Sequence, residues 1–448
     1  MKQWVVCGGG MRGIAAAALL RNSGHSVVLI ERQPELGGLL CSPEWGGLYV
    51  DKGCHLLDFA HSRSGKLYEA ILGTDMHPIH RTYASINSGF RSNDIALPDM
   101  SHFAEDLRRR AIDELKRAVA DDAVAGSKAS LTDFFLRHFG STAGSYAAAS
   151  ARKMTGIEPD LLDHDAFGSL PLLQRIRYGP DIEMLELKKD SRIDERAAAA
   201  SVAPPRQNDA GFPHRNQYPS KMGMRGFCIA ARQYLESIGV ELRLGASIAG
   251  INRKANRVTI DLDDGSAVQT ERVYWSGPAA SYFATVGEQD PATSQGIPAS
   301  LLIYAFRVPP AAVTDITYIH DYRPETNVFR FSTAGLYGRQ TGADGLTYIL
   351  AEVPTNRSLP HWKNPMAIVG QVWAEAVGAG LVDGDDTYRD VRVEALPAAF
   401  VLPKLGGAEL RARRAELLSE LGPEIVFPRE GTFGKASIVD AVSADLEL

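Results

Sequence analysis

The chain has 448 residues, 45% hydrophobic and 23% charged, with a formal net charge of -6. This length exceeds what one simple core serves, so two domains are expected. The acidic balance gives no electrostatic reason for a nucleic-acid partner, and Arg108, Arg109 and Arg110, set among acids, read as a solvated helix face.

The four cysteines, Cys7, Cys41, Cys54 and Cys228, form no CxxC pair and match no zinc spacing. They read as reduced thiols of a cytoplasmic protein, with Cys7 and Cys54 as small buried hydrophobes. No basic leader precedes the first strand-like run, and the longest apolar stretch, Ile14 to Leu20, falls short of the ~20 residues that a membrane span needs. No metal site and no integral membrane segment are expected.

Gln3 to Cys7 reads as a buried parallel strand. Gly8-Gly9-Gly10-Met11-Arg12-Gly13 follows as GxGxxG, then a helix from Ile14 to Asn22 ended by Ser23-Gly24, then a strand from His25 to Ile30. Glu31 closes the unit eighteen positions beyond Gly13, near the ~20 expected of a ribose-binding acid. Gly8 permits the turn, Gly10 lets a pyrophosphate approach the backbone, and Gly13 lets helix and strand pack closely. The N–H groups around Met11 and Arg12 and the positive end of the helix dipole then face the phosphates. This arrangement predicts a dinucleotide site.

The next stretch, Glu31-Arg32-Gln33-Pro34-Glu35-Leu36-Gly37-Gly38-Leu39, resembles the ERxxxxGG segment of a large FAD-dependent superfamily. That superfamily holds amine oxidases, protoporphyrinogen oxidases and UDP-galactopyranose mutases. The resemblance implies an α/β fold: a discontinuous Rossmann-type FAD-binding domain with a mixed α+β substrate domain that includes a helical cap. It also implies that Gly37 and Gly38 approach the FAD pyrophosphate. Gly47 to Asp58 is similar to the strand these families run beneath the flavin, with Gly53 and His55 matching in type and order. A flavin-facing His55 and a structural one both remain open.

Further along, Asp75 to Pro98 predicts a hairpin around Asn87-Ser88-Gly89, and Met100 to Phe167 reads as the helical cap. Residues 183–216, rich in charge, alanine and proline, read as a mobile loop or lid, or as a tolerated insertion. The segment from Tyr218 onward returns to the superfamily pattern, with a helix from Phe227 to Ser237 and a strand from Val240 to Leu244. Lys221 and Arg225 precede that helix and are candidates for the active site. By resemblance, Ser247 or Ile248 contacts the adenine side, and Ser276-Gly277-Pro278 lies near the pyrophosphate or ribose. In the aromatic stretch after residue 315, Tyr322, Arg323, Arg330 and Ser332 match residues lining the substrate side. Arg330 sits between Phe329 and Phe331 and needs a partner if buried, either a substrate anion or Glu352.

At the end of the chain a glycine turn at Gly434 leads into a helix. Ser437 with Asp440 resembles a capping box, so Ser437, Ile438 and Val439 would offer N–H groups, and the superfamily resemblance implies that this helix N-terminus meets the flavin. The mutase pattern has an arginine where this chain has Thr432, with Arg429 and Lys435 nearby. The expected layout is FAD domain at 1–75, 216–290 and 421–448, and substrate domain at 76–215 and 291–420. The expected function is an FAD-dependent oxidoreductase passing a hydride to flavin N5 from a small anionic substrate of glycan, nucleotide-sugar or tetrapyrrole metabolism. Expected catalytic residues are His55, Arg330, Arg225 and Tyr322. A mutase-like isomerase and a structural flavin stand as alternatives, and a homo-oligomer is left open.

Overall fold

The computed structural model of the chain describes residues 2–59, 62–121, 129–200, 215–254, 257–383, 388–429 and 435–448. The first strand, β1 (Gln3–Cys7), turns into α1 (Met11–Asn22) and returns as β2 (Ser26–Glu31). Helix α1 starts three residues before the expected Ile14, because Gly10 in extended backbone serves as its N-cap. Next come α2 (Ser62–Leu72), β3 (Tyr83–Asn87), β4 (Phe90–Ser92), α3 (Glu105–Asp121), α4 (Leu131–Phe139) and α5 (Ser141–Thr155). Helix α6 (Gly223–Ser237) also starts earlier than expected, and β5 (Glu241–Leu244) follows it. The remainder supplies β6 (Arg272–Trp275), β7 (Gly296–Val308), β8 (Tyr318–Asp321), β9 (Arg330–Ser332) and β10 (Thr347–Thr355). The last elements are β11 (Asp390–Pro403), β12 (Ile425–Val426) and α7 (Lys435–Asp445).

One sheet is wholly parallel, in the order β5-β2-β1-β6-β12. Its inner strands β1 and β2 are buried on both faces, which is why they read as apolar runs, whereas the edge strand β5 is half exposed. Trp4, Val6, Val27 and Leu29 face α1, α2, α6 and α7, while Val5, Val28 and Ile30 face an antiparallel sheet built from residues 248–270. The fully buried Ala15, Ala16, Ala17 and Ala18 give α1 a thin profile. Val439 and Val442 of α7 pack into the same core as α1. First and last elements therefore share one core.

The second sheet has seven strands in the order β11-β7-β10-β9-β8-β3-β4, antiparallel except where β8 runs alongside β3. The expected hairpin exists as β3 and β4, with Ser88 and Gly89 at positive φ in its turn. Met76–Pro78, expected in the same hairpin, pairs instead with Asn216–Pro219 in a small separate sheet. Helices α3, α4 and α5 enclose a third core.

Residues 183–200 correct the expectation of a lid. Met184, Ile193 and Ala197 are buried in that helical core, and Arg196 donates to His138 O at 2.9 Å. The charges in this segment lie between sparse apolar anchors, so composition misread it; residues 201–214 lie outside the described residues. No helix of the described residues is long and apolar enough to cross a membrane.

Candidate active site

The glycine turn after β1 is held by tight backbone contacts. Gly8 has φ +99°, and its N–H donates to Ile30 O at 2.8 Å. A Cβ on Gly13 would stand 1.8 Å from Gly8 O, so no other residue fits where α1 leaves the turn. Ser276 locks the turn from β6: its Oγ donates to Cys7 O at 2.7 Å and lies 3.2 Å from Gly8 O. Gly277 follows it and leads into the helical turn after β6. At Gly10 the geometry differs, since a Cβ there would meet nothing within 4 Å. The N-terminus of α1 has no side-chain cap and no acid in its first turn.

Gly37 and Gly38, both at positive φ, fold back onto this turn. The Gly37 N–H donates to Gly9 O at 2.8 Å, and a Cβ on Gly38 would stand 3.7 Å from Gly10 Cα. The two glycine turns thus form one cleft lined by backbone. The Glu31 carboxylate is oriented by the Gly9 N–H at 2.6 Å and the Gln33 N–H at 2.8 Å, which leaves lone pairs to spare. An open helix N-terminus, two glycine turns and an oriented carboxylate fit a dinucleotide with its pyrophosphate over Gly10 and a ribose at Glu31.

The remaining expected cofactor contacts sit around this cleft. Arg32 and Leu39 are exposed beside it. Ile248 opens the antiparallel sheet next to Ala246, whose N–H donates to Glu31 O at 3.1 Å. Met11 is buried against α1's core, and Arg12 reaches Tyr274, whose hydroxyl donates to Asp445 of α7 at 3.1 Å. Helix α7 begins at Lys435, so Ser437 lies within its first turn and does not cap it. The Val439 side chain is in the core and Ile438 packs beside it. Gly434 and Thr432 lie outside the described residues.

A second polar centre lies where β9 and β10 meet the segment after β2. Arg330 grips Glu352 through two parallel bonds, Nε to Oε1 and Nη2 to Oε2, each 2.7 Å. Glu352 also accepts from the Cys54 N–H at 3.0 Å, fixing the turn in which Gly53 stands at φ +112° and His55 follows. Tyr337 Oη lies 3.8 Å from Cys54 Sγ; Cys54 is half-buried, not the fully buried hydrophobe expected. Across the sheet, His320 pairs in register with Arg330 and is 3% exposed. Its pKa falls to about 3, because burial disfavours the cation and the Arg330 and Arg81 charges add to that effect. Arg81 lies 5.2 Å above the Tyr83 ring, which stacks on Tyr318 at 5.9 Å. Among the described residues no acid pairs with Arg81. Neither Arg81 nor His320 carries a sequence motif, and only the pairing of β3 with β8 brings them together.

Five other expected residues lie outside this cluster. Tyr322 lies just past the end of β8 on the same side as His320, their rings 6.3 Å apart; its side chain packs into the helical core with its hydroxyl donating to Ala96 O at 3.0 Å. Arg323 clasps Asp321, and Ser332 is buried within the sheet. Arg225 bonds Glu35 beside the second glycine turn, while Lys221 is exposed.

Between the two centres sits Asp51, 1% exposed and unnoticed in the sequence. It accepts from Ser42 Oγ at 2.5 Å, Tyr218 Oη at 2.7 Å and the Met224 N–H at 3.3 Å. Burial and the Asp51 charge push the Tyr218 phenol well up. Asp51 thereby joins the segment after β2 to the start of α6.

Comparison with known proteins gives one family. The profile of the flavin containing amine oxidoreductase family matches residues 11–276. No curated protein matches. Among solved structures, reduced UDP-galactopyranose mutase superposes with a TM-score of 0.74 at 15% identity, over 100% of this chain and 96% of the other. Putrescine oxidase bound to putrescine gives 0.65 at 15% identity, over 100% and 98%. A fatty acid isomerase from P. acnes that produces CLA gives 0.62 at 14% identity, over 100% and 98%. These likenesses carry the fold.

Proposed function

Because this chain belongs to the flavin containing amine oxidoreductase family and is an FAD-dependent enzyme, we propose that it oxidises a small anionic substrate held beside the Arg330 sheet. FAD, when bound, supplies the hydride acceptor. The chain's own residues bind and orient. The α1 N-terminus, with Gly10, Gly37 and Gly38, receives the pyrophosphate, and Glu31 receives a ribose. Ser276 and Gly13 keep that turn rigid. Glu352 holds the Gly53–His55 turn through the Cys54 N–H, which sets His55 toward the reacting centre. Helix α7 begins at Lys435, so the Ser437 N–H in its first turn is the group that would stabilise charge on a reduced cofactor.

The anionic substrate rests on one observation. Two arginines act on His320 while a single carboxylate, Glu352, is spent on one of them. Arg81 is left as the cation facing a ligand, with Tyr83 and Tyr318 as an aromatic wall. Glycan, nucleotide-sugar and tetrapyrrole intermediates carry such anions. A mutase-like isomerase would use the same cleft and the same cation.

The test begins with purified yellow protein. Anaerobic addition of an anionic substrate should bleach the visible flavin band, and oxygen or another acceptor should restore it. Turnover only after prior reduction, with no net electron flow, would favour the isomerase. Arg81→Ala should raise KM for the anion about tenfold or more while flavin content stays unchanged. Equal loss of both would remove Arg81 from the substrate side.

A further inference from the structure

Two thiols meet beneath the second glycine turn, and nothing in the flavin reading uses them. Cys41 follows the short helical turn Gly38–Leu40, and Cys228 projects from α6. A Cβ built on Gly37 would come within 2.1 Å of Cys228 Sγ and 3.5 Å of Cys41 N, so the Cys228 sulfur fills the space this glycine leaves. Both thiols are free, and the Cys228 sulfur lies against the backbone turn that carries Cys41. Cys41 Sγ also lies 3.1 Å from Glu35 Oε2, on the carboxylate that binds Arg225.

The two sulfurs have different surroundings. Cys41 is half-buried, whereas Cys228 is 3% exposed. The neighbouring Cys228 thiol lowers the Cys41 pKa, outweighing burial and Glu35, while the Cys41 sulfur and burial raise that of Cys228. A reachable thiol with thiolate character beside a sequestered partner is the arrangement of an attacking and a resolving cysteine. The other two cysteines lack it. Cys7 is sealed inside β1, and Cys54 has a tyrosine hydroxyl at 3.8 Å.

We propose that Cys41 and Cys228 form a redox modification site, oxidised by a hydroperoxide to a disulfide that ties the Gly37–Gly38 turn to α6. In the first step the Cys41 sulfur attacks the peroxide O–O bond, which breaks to give a sulfenic acid and water. In the second the Cys228 sulfur attacks the Cys41 sulfur. The S–S bond forms, the S–O bond breaks, and the hydroxide leaves as water with the Cys228 proton. Two thiols lose two electrons and one peroxide gains them. An external dithiol reverses the reaction.

The experiment uses the flavin-loaded protein, isolated under reducing conditions and treated with hydrogen peroxide. The expected result is loss of two titratable thiols per chain and a Cys41–Cys228 cross-linked peptide in mass spectrometry. Both changes should reverse with dithiothreitol. In Cys228→Ser the sulfenic acid at Cys41 should persist and be trapped by dimedone; in Cys41→Ser, Cys228 should stay unmodified. Oxidation confined to Cys54, or a sulfinic acid at Cys41 with Cys228 still free in the unsubstituted protein, would overturn the proposal. The wild-type peptide map decides the matter even if either variant folds poorly.

Discussion

The glycine cleft and the Arg330 centre solve the same problem, holding a charged ligand, with opposite materials. Around Gly8–Gly13 and Gly37–Gly38 the ligand-facing groups are backbone, and the side chains that matter are those that are missing. Around Arg330 the groups are side chains drawn from β8, β9, β10 and the segment after β2, locked by a carboxylate that serves three donors. A backbone site depends on local chain geometry and fails when a Cβ is added. A side-chain site depends on charge balance and fails when one partner is removed.

Four substitutions press on that contrast, in order of expected effect. Gly13→Val should be the most damaging, costing about 5 kcal/mol or abolishing folding, because its Cβ has no room beside Gly8 O. Colourless protein with a depressed melting temperature is the expected readout; a yellow, stable variant would show that the turn can shift. Glu352→Ala strands the largely buried Arg330 and should cost about 4 kcal/mol in urea unfolding. The double change Arg330→Met with Glu352→Leu should recover most of that loss while kcat/KM stays low. If the single and double variants are equally unstable, charge balance is not what holds this centre.

Asp51→Ala comes next, at about 2 kcal/mol, since it leaves Tyr218 and Ser42 without their acceptor. No change in unfolding free energy would remove Asp51 as the link between the two centres. The smallest effect is a slope. The unfolded chain takes up a proton on residue 320 near its ordinary value of 6.5, whereas folded His320 resists until about 3. Stability therefore falls as pH drops through that window, by about 1.4 kcal/mol per pH unit for this group. His320→Phe should flatten the fall by that amount between pH about 6 and about 4. An unchanged slope would mean that His320 does not reach its buried neutral state.

How much could be read in advance follows the same division. Gly8, Gly10, Gly13, Glu31, Gly37 and Gly38 all lie within one contiguous stretch, and the structure brings them to one cleft. The substrate side fared differently. Tyr322, Arg323, Arg330 and Ser332 are close in sequence, yet each finds a different partner: Tyr322 packs into the helical core, Arg323 holds Asp321 and Arg330 holds Glu352. Glu352 was already one of two partners in view; Arg81, His320 and Asp51 were not. At 183–200, charge hid the three apolar side chains that anchor the segment.

By itself the sequence determined the glycine turns, the first βαβ unit and the acid that ends it, since those depend on spacing along a few tens of residues. Tertiary structure alone decided that Glu352 rather than a ligand neutralises Arg330, that Arg81 and His320 share one region of the sheet and that Cys41 meets Cys228. Each of these joins residues from separate parts of the chain, and such pairings are chosen by which buried faces and charges find each other when the sheets and helices pack.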